Sequence, residues 1–380
     1  MYADRVPRII SYHDTWISVD PVHGCPYQCA YCVLRHSNNT GVHPKMLVSP
    51  DECVCQLLNY PYFVLGRTPL AIGNETDMFH PLNREYLIEL LLVLQSANVK
   101  NPISLITKAP LDDEFLGRIR AIKGLTIVFF LSYSGLGPAF EPTFTDRQFR
   151  ENFRHVKAHG FPLLHYWRPL VPSNTSTAQI RDMLAFISTV AGASVITGLK
   201  LHPELSAVLA QGSCISIPNH LMNAHGEWLE PGVVENIYLE ANRLCPDYPL
   251  YRHTSCALAH AIAHPSHTAT VFRKDICPSS HCPTTQRVIC ESGRVIPSET
   301  SIAAALSRLG RGPSFKRLSD RIVINDVVNQ EEFSYLLHTL NYPLEVKAIQ
   351  FYNLYRGDIH RNQRETNKVG PCIESCPHED

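Results

Sequence analysis

Between residues 40 and 205 strand-like and helix-like runs alternate, and this constrains the fold more than any other feature of the chain. Residues 70–73 (LAIG), 103–106, 125–131 (LTIVFFL), 161–167 and 195–201 read as short buried strands, with one more near 16–19. Helices fall between them. Ser49 caps the first, with Pro50 at its first position and Glu52 placed for a capping box. Asn83 is expected to cap the next, whose apolar face carries Tyr86, Leu87, Leu90, Leu91 and Leu94. A short helix follows near 112–122. Thr145 and Gln148 form a second capping-box pair, ahead of Phe149, Phe153 and Val156 on one face and a stop at Gly160. Residues 177–190 read as the last helix of the series. Such alternation predicts right-handed βαβ crossovers and a parallel sheet. About six strands fit a partial or full α/β barrel, whose functional groups belong at the C-terminal strand ends. That rule points to residues 73–77, Thr107, Lys108, residues 132–134, Arg168 and His202.

After about residue 210 the pattern changes. Residues 250–295 are rich in Cys and His and poor in periodicity, and residues 321–358 read as strand, helix, strand. We therefore divide the chain into an α/β barrel at 1–210, a Cys/His-rich extension at 211–320, and a small α/β add-on with a polar tail at 321–380.

The densest chemical signal is Gly24-Cys25-Pro26-Tyr27-Gln28-Cys29-Ala30-Tyr31-Cys32, just after the first strand. Thiolates spaced C-x3-C-x2-C can wrap a loop around three irons of a [4Fe–4S] cluster and leave the fourth iron for a chelating small molecule. Tetrahedral zinc, with His23 or His36 as fourth ligand, is the next reading, and three unrelated buried thiols the last. The chain has 13 cysteines in all, an odd and clustered set, and its N-terminus lacks an apolar signal-like segment. Both features argue for ligation in a reducing, cytoplasmic setting rather than a disulfide framework. The longest apolar stretch, residues 87–94, contains Glu89 and is too short to span a bilayer, so no membrane partner is expected. With 34 basic and 35 acidic side chains the net charge is −1, which disfavours a nucleic-acid partner.

The cysteine motif resembles that of the radical S-adenosylmethionine (SAM) enzymes, down to the aromatic Tyr31 before the last cysteine. The order of strand, cysteine loop, helix and β/α repeats over roughly residues 14–205 is similar to their partial (β/α)6 TIM-like barrel. The resemblance implies a [4Fe–4S] cluster on Cys25, Cys29 and Cys32 whose open iron binds SAM. It implies one-electron cleavage to a 5′-deoxyadenosyl radical that abstracts hydrogen from a small-molecule or peptide substrate. A reductant such as flavodoxin or ferredoxin would be the partner. Gly73, Asn74 and Glu75 stand where family members carry a Gly-Gly-Glu-like motif holding the methionine amino group, with Asn74 departing from the pattern. Arg168 could fork onto the SAM carboxylate, Tyr31 could pack on adenine, and Ser132 and Lys108 are further strand-end candidates. The runs IGNETDMFHP, ITKAPL, LSYSGLGPAFEP and RPLVPSN look like the branch that includes the spore photoproduct lyases. Those lyases carry a hydrogen-donor cysteine near the end of the second strand, where this chain has Thr76 and Asp77. Its nearest cysteines, Cys53 and Cys55, belong to the first helix as core residues.

A second cysteine group follows. Cys277, Cys282 and Cys290 are spaced C-x4-C-x7-C, with Cys256 upstream, and these four are the expected ligands of a second [4Fe–4S] cluster. Zinc with His281, or free thiols, are the alternatives. Cys372 and Cys376 lie in the polar tail, and Cys214 and Cys245 read as core. His260 and His264, four apart, would share a helix face. Two other functions compete with a radical SAM enzyme acting on a small molecule or peptide. One is a nucleic-acid lesion-repair or base-modifying radical SAM enzyme, and the other a non-enzymatic zinc-binding scaffold.

Overall fold

The computed structural model describes residues 8–350, apart from residue 202 and residues 213–216, 222–225, 273–276 and 278–280. The main sheet begins with β1 (Ile10–Tyr12), antiparallel to β2 (Ile17–Val19). A two-stranded ribbon, β3 (Val22–His23) and β4 (Lys45–Met46), then brackets the cysteine loop. Next come α1 (Pro50–Leu58), β5 (Leu70–Ile72), α2 (Arg84–Ser96), β6 (Ile103–Thr107), α3 (Asp113–Ala121), β7 (Ile127–Ser132), α4 (Asp146–Ala158), β8 (Leu163–Leu170), α5 (Thr177–Ile187) and β9 (Ala193–Leu201). Strands β2, β5, β6, β7, β8 and β9 are parallel neighbours in chain order.

That order has no reversal. In a doubly wound sheet the strand order turns back on itself, so helices cover both faces. Here every right-handed crossover leaves its helix on the same face. The side chains divide accordingly. Ile17, Ile72, Leu105, Phe129, Leu131 and Trp167 pack with the helices in the larger core cluster. Ala71, Val128, Phe130, Leu164, Tyr166 and Val195 point the other way into a second cluster.

Local chemistry sets the helix ends. Ser49 accepts from the Glu52 amide, and the capping box of Thr145 and Gln148 is formed. The helix after Thr145 buries Phe149, Phe153 and Val156, as its periodicity requires. Asn83 departs from expectation. It occupies the cap position of α2, but its amide donates to Asp77 O at 2.8 Å and Thr76 Oγ1 at 3.2 Å. Tertiary hydrogen bonds at the strand end take the side chain that local capping would have used.

Beyond β9 the chain adds α6 (Pro203–Gly212), β10 (Gly226–Trp228), α7 (Val233–Leu244), β11 (Leu250–Tyr251) and α8 (Thr254–Ala261). β10 pairs antiparallel with the end of β9, and β11 pairs parallel with its start. Helix α8 lies against the face the other helices leave open, where Ala257 and Leu258 join Val195 and Tyr166. Because α8 ends at Ala261, His260 and His264 do not share its face. His264 instead stacks on His267, ring centroids 4.4 Å apart.

The remaining elements are α9 (Thr284–Ser292), α10 (Glu299–Arg308), β12 (Phe315–Arg317), β13 (Ile322–Asn329), α11 (Gln330–Leu340) and β14 (Leu344–Gln350). β12, β13 and β14 form a separate three-stranded sheet. Helix α11 meets β1, the edge of the main sheet. Glu331 there accepts from the Tyr12 amide at 3.3 Å and from Tyr60 Oη at 2.8 Å. The add-on thus covers an edge whose backbone groups would otherwise face solvent.

Candidate active site

The cysteine loop is held at both ends. Beyond the ribbon, the Cys25 amide donates to Asn39 O at 2.9 Å and the Val42 amide donates to Cys25 O at 3.2 Å. Gly24 has φ +97°, and a Cβ there would sit 2.7 Å from His43 O, so the turn into the loop needs glycine. Arg35 clamps the centre, donating to Cys29 O and Gln28 O, both at 2.8 Å.

Cys25, Cys29 and Cys32 all line one cavity of about 490 Å³. The other lining groups come from successive strand ends. Gly73 and Asn74 follow β5, Lys108 follows β6, Ser132 ends β7, Arg168 is on β8 and Lys200 on β9. The volume is that of a small-molecule site. Burial pushes the Cys25 and Cys29 thiols up to about 12 and raises Cys32 as well. Such thiols stay protonated until a metal displaces the proton.

Two buried carboxylates, Asp77 in the cavity wall and Glu141 behind it, organise the polar groups here. Glu141, 1% exposed, pairs with Lys108 at 2.9 Å and accepts from Ser134 Oγ at 2.9 Å and from the Tyr31 hydroxyl. Lys108 also reaches Ser132 Oγ at 2.8 Å and lies 5.3 Å from the centre of the Tyr31 ring. Burial and the neighbouring Glu141 hold the Tyr31 hydroxyl well above the ordinary phenol range. Asp77 accepts from the amides of Phe79 (3.0 Å), Lys108 (2.9 Å) and Ala109 (3.2 Å) and from Thr107 Oγ1 (2.8 Å). Burial nonetheless raises its pKa, with those hydrogen bonds opposing. Behind the wall Asp20 is pushed up to about 7 by burial; it accepts from Ser18 Oγ at 2.6 Å and from the Asn74 amide at 2.5 Å.

Arg168 has its guanidinium 4.0 Å from the centre of the Tyr166 ring, and no carboxylate among the described residues lies within ion-pair distance of it. Lys200 also lines the cavity; burial, and then Arg168, lower its pKa. The cavity thus carries cationic groups available to an anionic ligand group beside three thiols. That donor set fits a cluster with a chelating carboxylate ligand.

Of the sequence-based candidates, Cys25, Cys29, Cys32, Tyr31, Gly73, Asn74, Ser132, Lys108 and Arg168 meet at this cavity. Glu75 does not line it. Both its backbone carbonyl and its carboxylate accept from Asn39 Nδ2, at 2.9 and 3.1 Å, so it braces the cysteine loop. No sequence motif marks Lys200 and Glu227, which line the cavity, or Glu141, which pairs with Lys108 behind its wall; only the tertiary fold brings them here. Cys256, Cys277, Cys282 and Cys290 do not line the cavity. Cys53 is fully buried on α1 and Cys245 is half-buried after α7. His202, Cys214, Cys372 and Cys376 lie outside the described residues. Among the described residues, no group of three or more His, Cys, Asp and Glu side chains is arranged to hold a single metal ion. A cluster differs in taking one thiolate per iron. No helix among the described residues is long and apolar enough to cross a membrane.

No family model matches the chain. No curated protein matches it in sequence. Solved structures do. A cysteine-to-serine variant of spore photoproduct lyase superposes with a TM-score of 0.53 at 12% identity, over 65% of this chain and 79% of the other. A double variant of that lyase, with AdoMet and dinucleoside spore photoproduct bound, gives 0.50 at 12% identity, over 62% and 75%. A radical SAM methyltransferase from Sphaerobacter thermophilus gives 0.42 at 14% identity, over 63% and 67%. The likeness is one of fold: this chain has the fold of spore photoproduct lyase.

Proposed function

We propose that the chain is a radical SAM enzyme whose 1–210 region is a partial (β/α)6 barrel with its cofactors in the cavity at the strand ends. The observation that carries this reading is the meeting of Cys25, Cys29 and Cys32 with Arg168 and five strand ends in one cavity. The three thiolates would hold a [4Fe–4S] cluster. When bound, that cluster and SAM supply reductive cleavage to methionine and a 5′-deoxyadenosyl radical.

The chain's own residues bind, orient and exclude water. Arg168 forks onto the SAM carboxylate, while Gly73 and Asn74 present the β5 strand end to the amino group. A Cβ at Gly73 would run into Met78, so glycine keeps this approach open. The Lys108–Glu141 pair fixes Tyr31 and Ser132 in the cavity wall. The apolar second cluster beneath them keeps water from the reacting atoms.

The substrate is a small molecule or peptide, and a cytoplasmic one-electron donor such as flavodoxin or ferredoxin supplies the electron. The net charge of −1 gives a polyanion little to bind. A hydrogen-donor cysteine is not found at the end of β5. Thr76 there donates to Gly24 O at 2.6 Å, and Asp77 is taken up by its amides. Helix α8, in the extension, fills the open face of the sheet, and α11, in the add-on, covers the sheet edge.

Anaerobically reconstituted protein, given SAM and dithionite, is expected to form 5′-deoxyadenosine and methionine, and a Cys25/Cys29/Cys32→Ala triple variant none. A loaded wild-type protein that forms neither product would overturn the proposal.

A further inference from the structure

Four cysteines outside the cavity come together through folding. Cys256 sits on α8, Cys282 just ahead of α9, Cys290 within α9, and Cys277 in the stretch between the two helices. Cys256 and Cys282 pack on the same apolar cluster of the open sheet face, beside Ala257 and Tyr251. Cys256 lies within electrostatic range of the other three, and Cys277 and Cys282 each of Cys290. Tyr251 Oη is 4.0 Å from Cys282 Sγ and feels Cys282, Cys256 and Cys290. Gln286 Nε2 donates to Cys290 Sγ at 3.3 Å, so that sulfur already has the kind of N–H contact that tunes a cluster's ligands.

We infer that Cys256, Cys277, Cys282 and Cys290 ligate a second [4Fe–4S] cluster, held wholly by the protein on the open face of the sheet. Four thiols converging from three places in the chain, none of them paired in a disulfide, match one ligand per iron. On binding, each thiol gives up its proton to the solvent and its thiolate to one iron. With every iron ligated by the chain, none is open to a small molecule, and the cluster can only take up or give back one electron. Its surroundings lead to the first site. The Tyr166 hydroxyl donates to Thr254 Oγ1 on α8 at 3.0 Å, two residues before Cys256, while the Tyr166 ring lies under Arg168 in the cavity wall.

A cluster at these four cysteines would form without SAM, so its iron content is read independently of SAM cleavage. Full-length protein is reconstituted anaerobically with ferrous iron and sulfide, and iron, sulfide and zinc are counted per chain. Wild type is expected to hold about eight irons, and the Cys25/Cys29/Cys32→Ala variant about four irons with about four sulfides. Adding Cys256→Ser and Cys282→Ser to that variant is expected to abolish the remainder. Wild type with only about four irons overturns the inference even if the variants fail to fold. So does a triple variant that binds one zinc without sulfide. A protein with about eight irons that leaves SAM intact would sink the proposed function and leave this inference standing.

Discussion

Lys108, in the cavity wall, forms a 2.9 Å ion pair with Glu141 behind it, the carboxylate 1% exposed and the ammonium largely enclosed. A pair so buried contributes little by existing, since desolvation offsets most of its attraction, but breaking it leaves a naked charge. Glu141→Ala is therefore expected to destabilise the protein by about 3–5 kcal/mol. Lys108→Met combined with Glu141→Leu should cost clearly less than Glu141→Ala alone. Urea unfolding midpoints of the single and double variants measure this. Equal costs would mean that the pair is not the source of the loss.

Arg168 is expected to anchor SAM. Losing a charge-assisted contact of this kind costs about 1.5–3 kcal/mol, so Arg168→Ala should weaken SAM binding at least about tenfold. Arg168→Lys should recover part of the loss, because it keeps the charge and gives up the fork. Equilibrium dialysis of reconstituted protein against labelled SAM reads the effect, with iron content as the control. Unchanged affinity in the Ala variant would remove Arg168 from the binding site.

Asp77 satisfies three backbone amides and a hydroxyl at the junction of β5 and β6. Asp77→Ala strands those donors in a buried place, at about 1–3 kcal/mol for each that finds no water. A loss of about 3 kcal/mol or more is expected from denaturant melts. Asp77→Asn, which keeps an acceptor oxygen, should lose less.

His165 is fully buried, with Nε2 donating to Tyr133 O at 2.9 Å and Nδ1 2.9 Å from Ser194 Oγ. The carbonyl can only accept, so Nε2 carries a proton; burial keeps the ring neutral, which leaves Nδ1 to accept from the serine hydroxyl. Burial pushes its pKa down to about 3. An unfolded histidine protonates near 6.5, so the unfolded state binds the proton first as pH falls. The stability that His165 contributes is present at neutral pH and is lost progressively from about pH 6.5 towards about pH 3. By pH 5 the loss is about 2 kcal/mol. His165→Gln should flatten the fall in unfolding free energy between pH 7 and pH 5 by that amount. An unchanged slope would place the acid sensitivity elsewhere, for instance at His267 or His338, which burial also lowers, to about 3 and about 4.

The alternation of apolar runs and capped amphipathic helices pointed to about six parallel strands, because burial on both faces and capping are local signals, while their neighbour order is a property of the folded sheet. Ser49, Thr145 and Gln148 act as their positions in the sequence indicate. The spacing of Cys25, Cys29 and Cys32 likewise fixed one loop able to present three thiols. Only the tertiary structure decided which distant groups meet there. Glu141 becomes the partner of Lys108, Glu75 turns away to Asn39, and Asn83 leaves its helix cap for Thr76 and Asp77. The same holds for α8, whose short apolar stretch carries no periodicity that points to the open sheet face. Contacts between residues far apart in the chain depend on how sheet and helices pack, and no local pattern of residues encodes them.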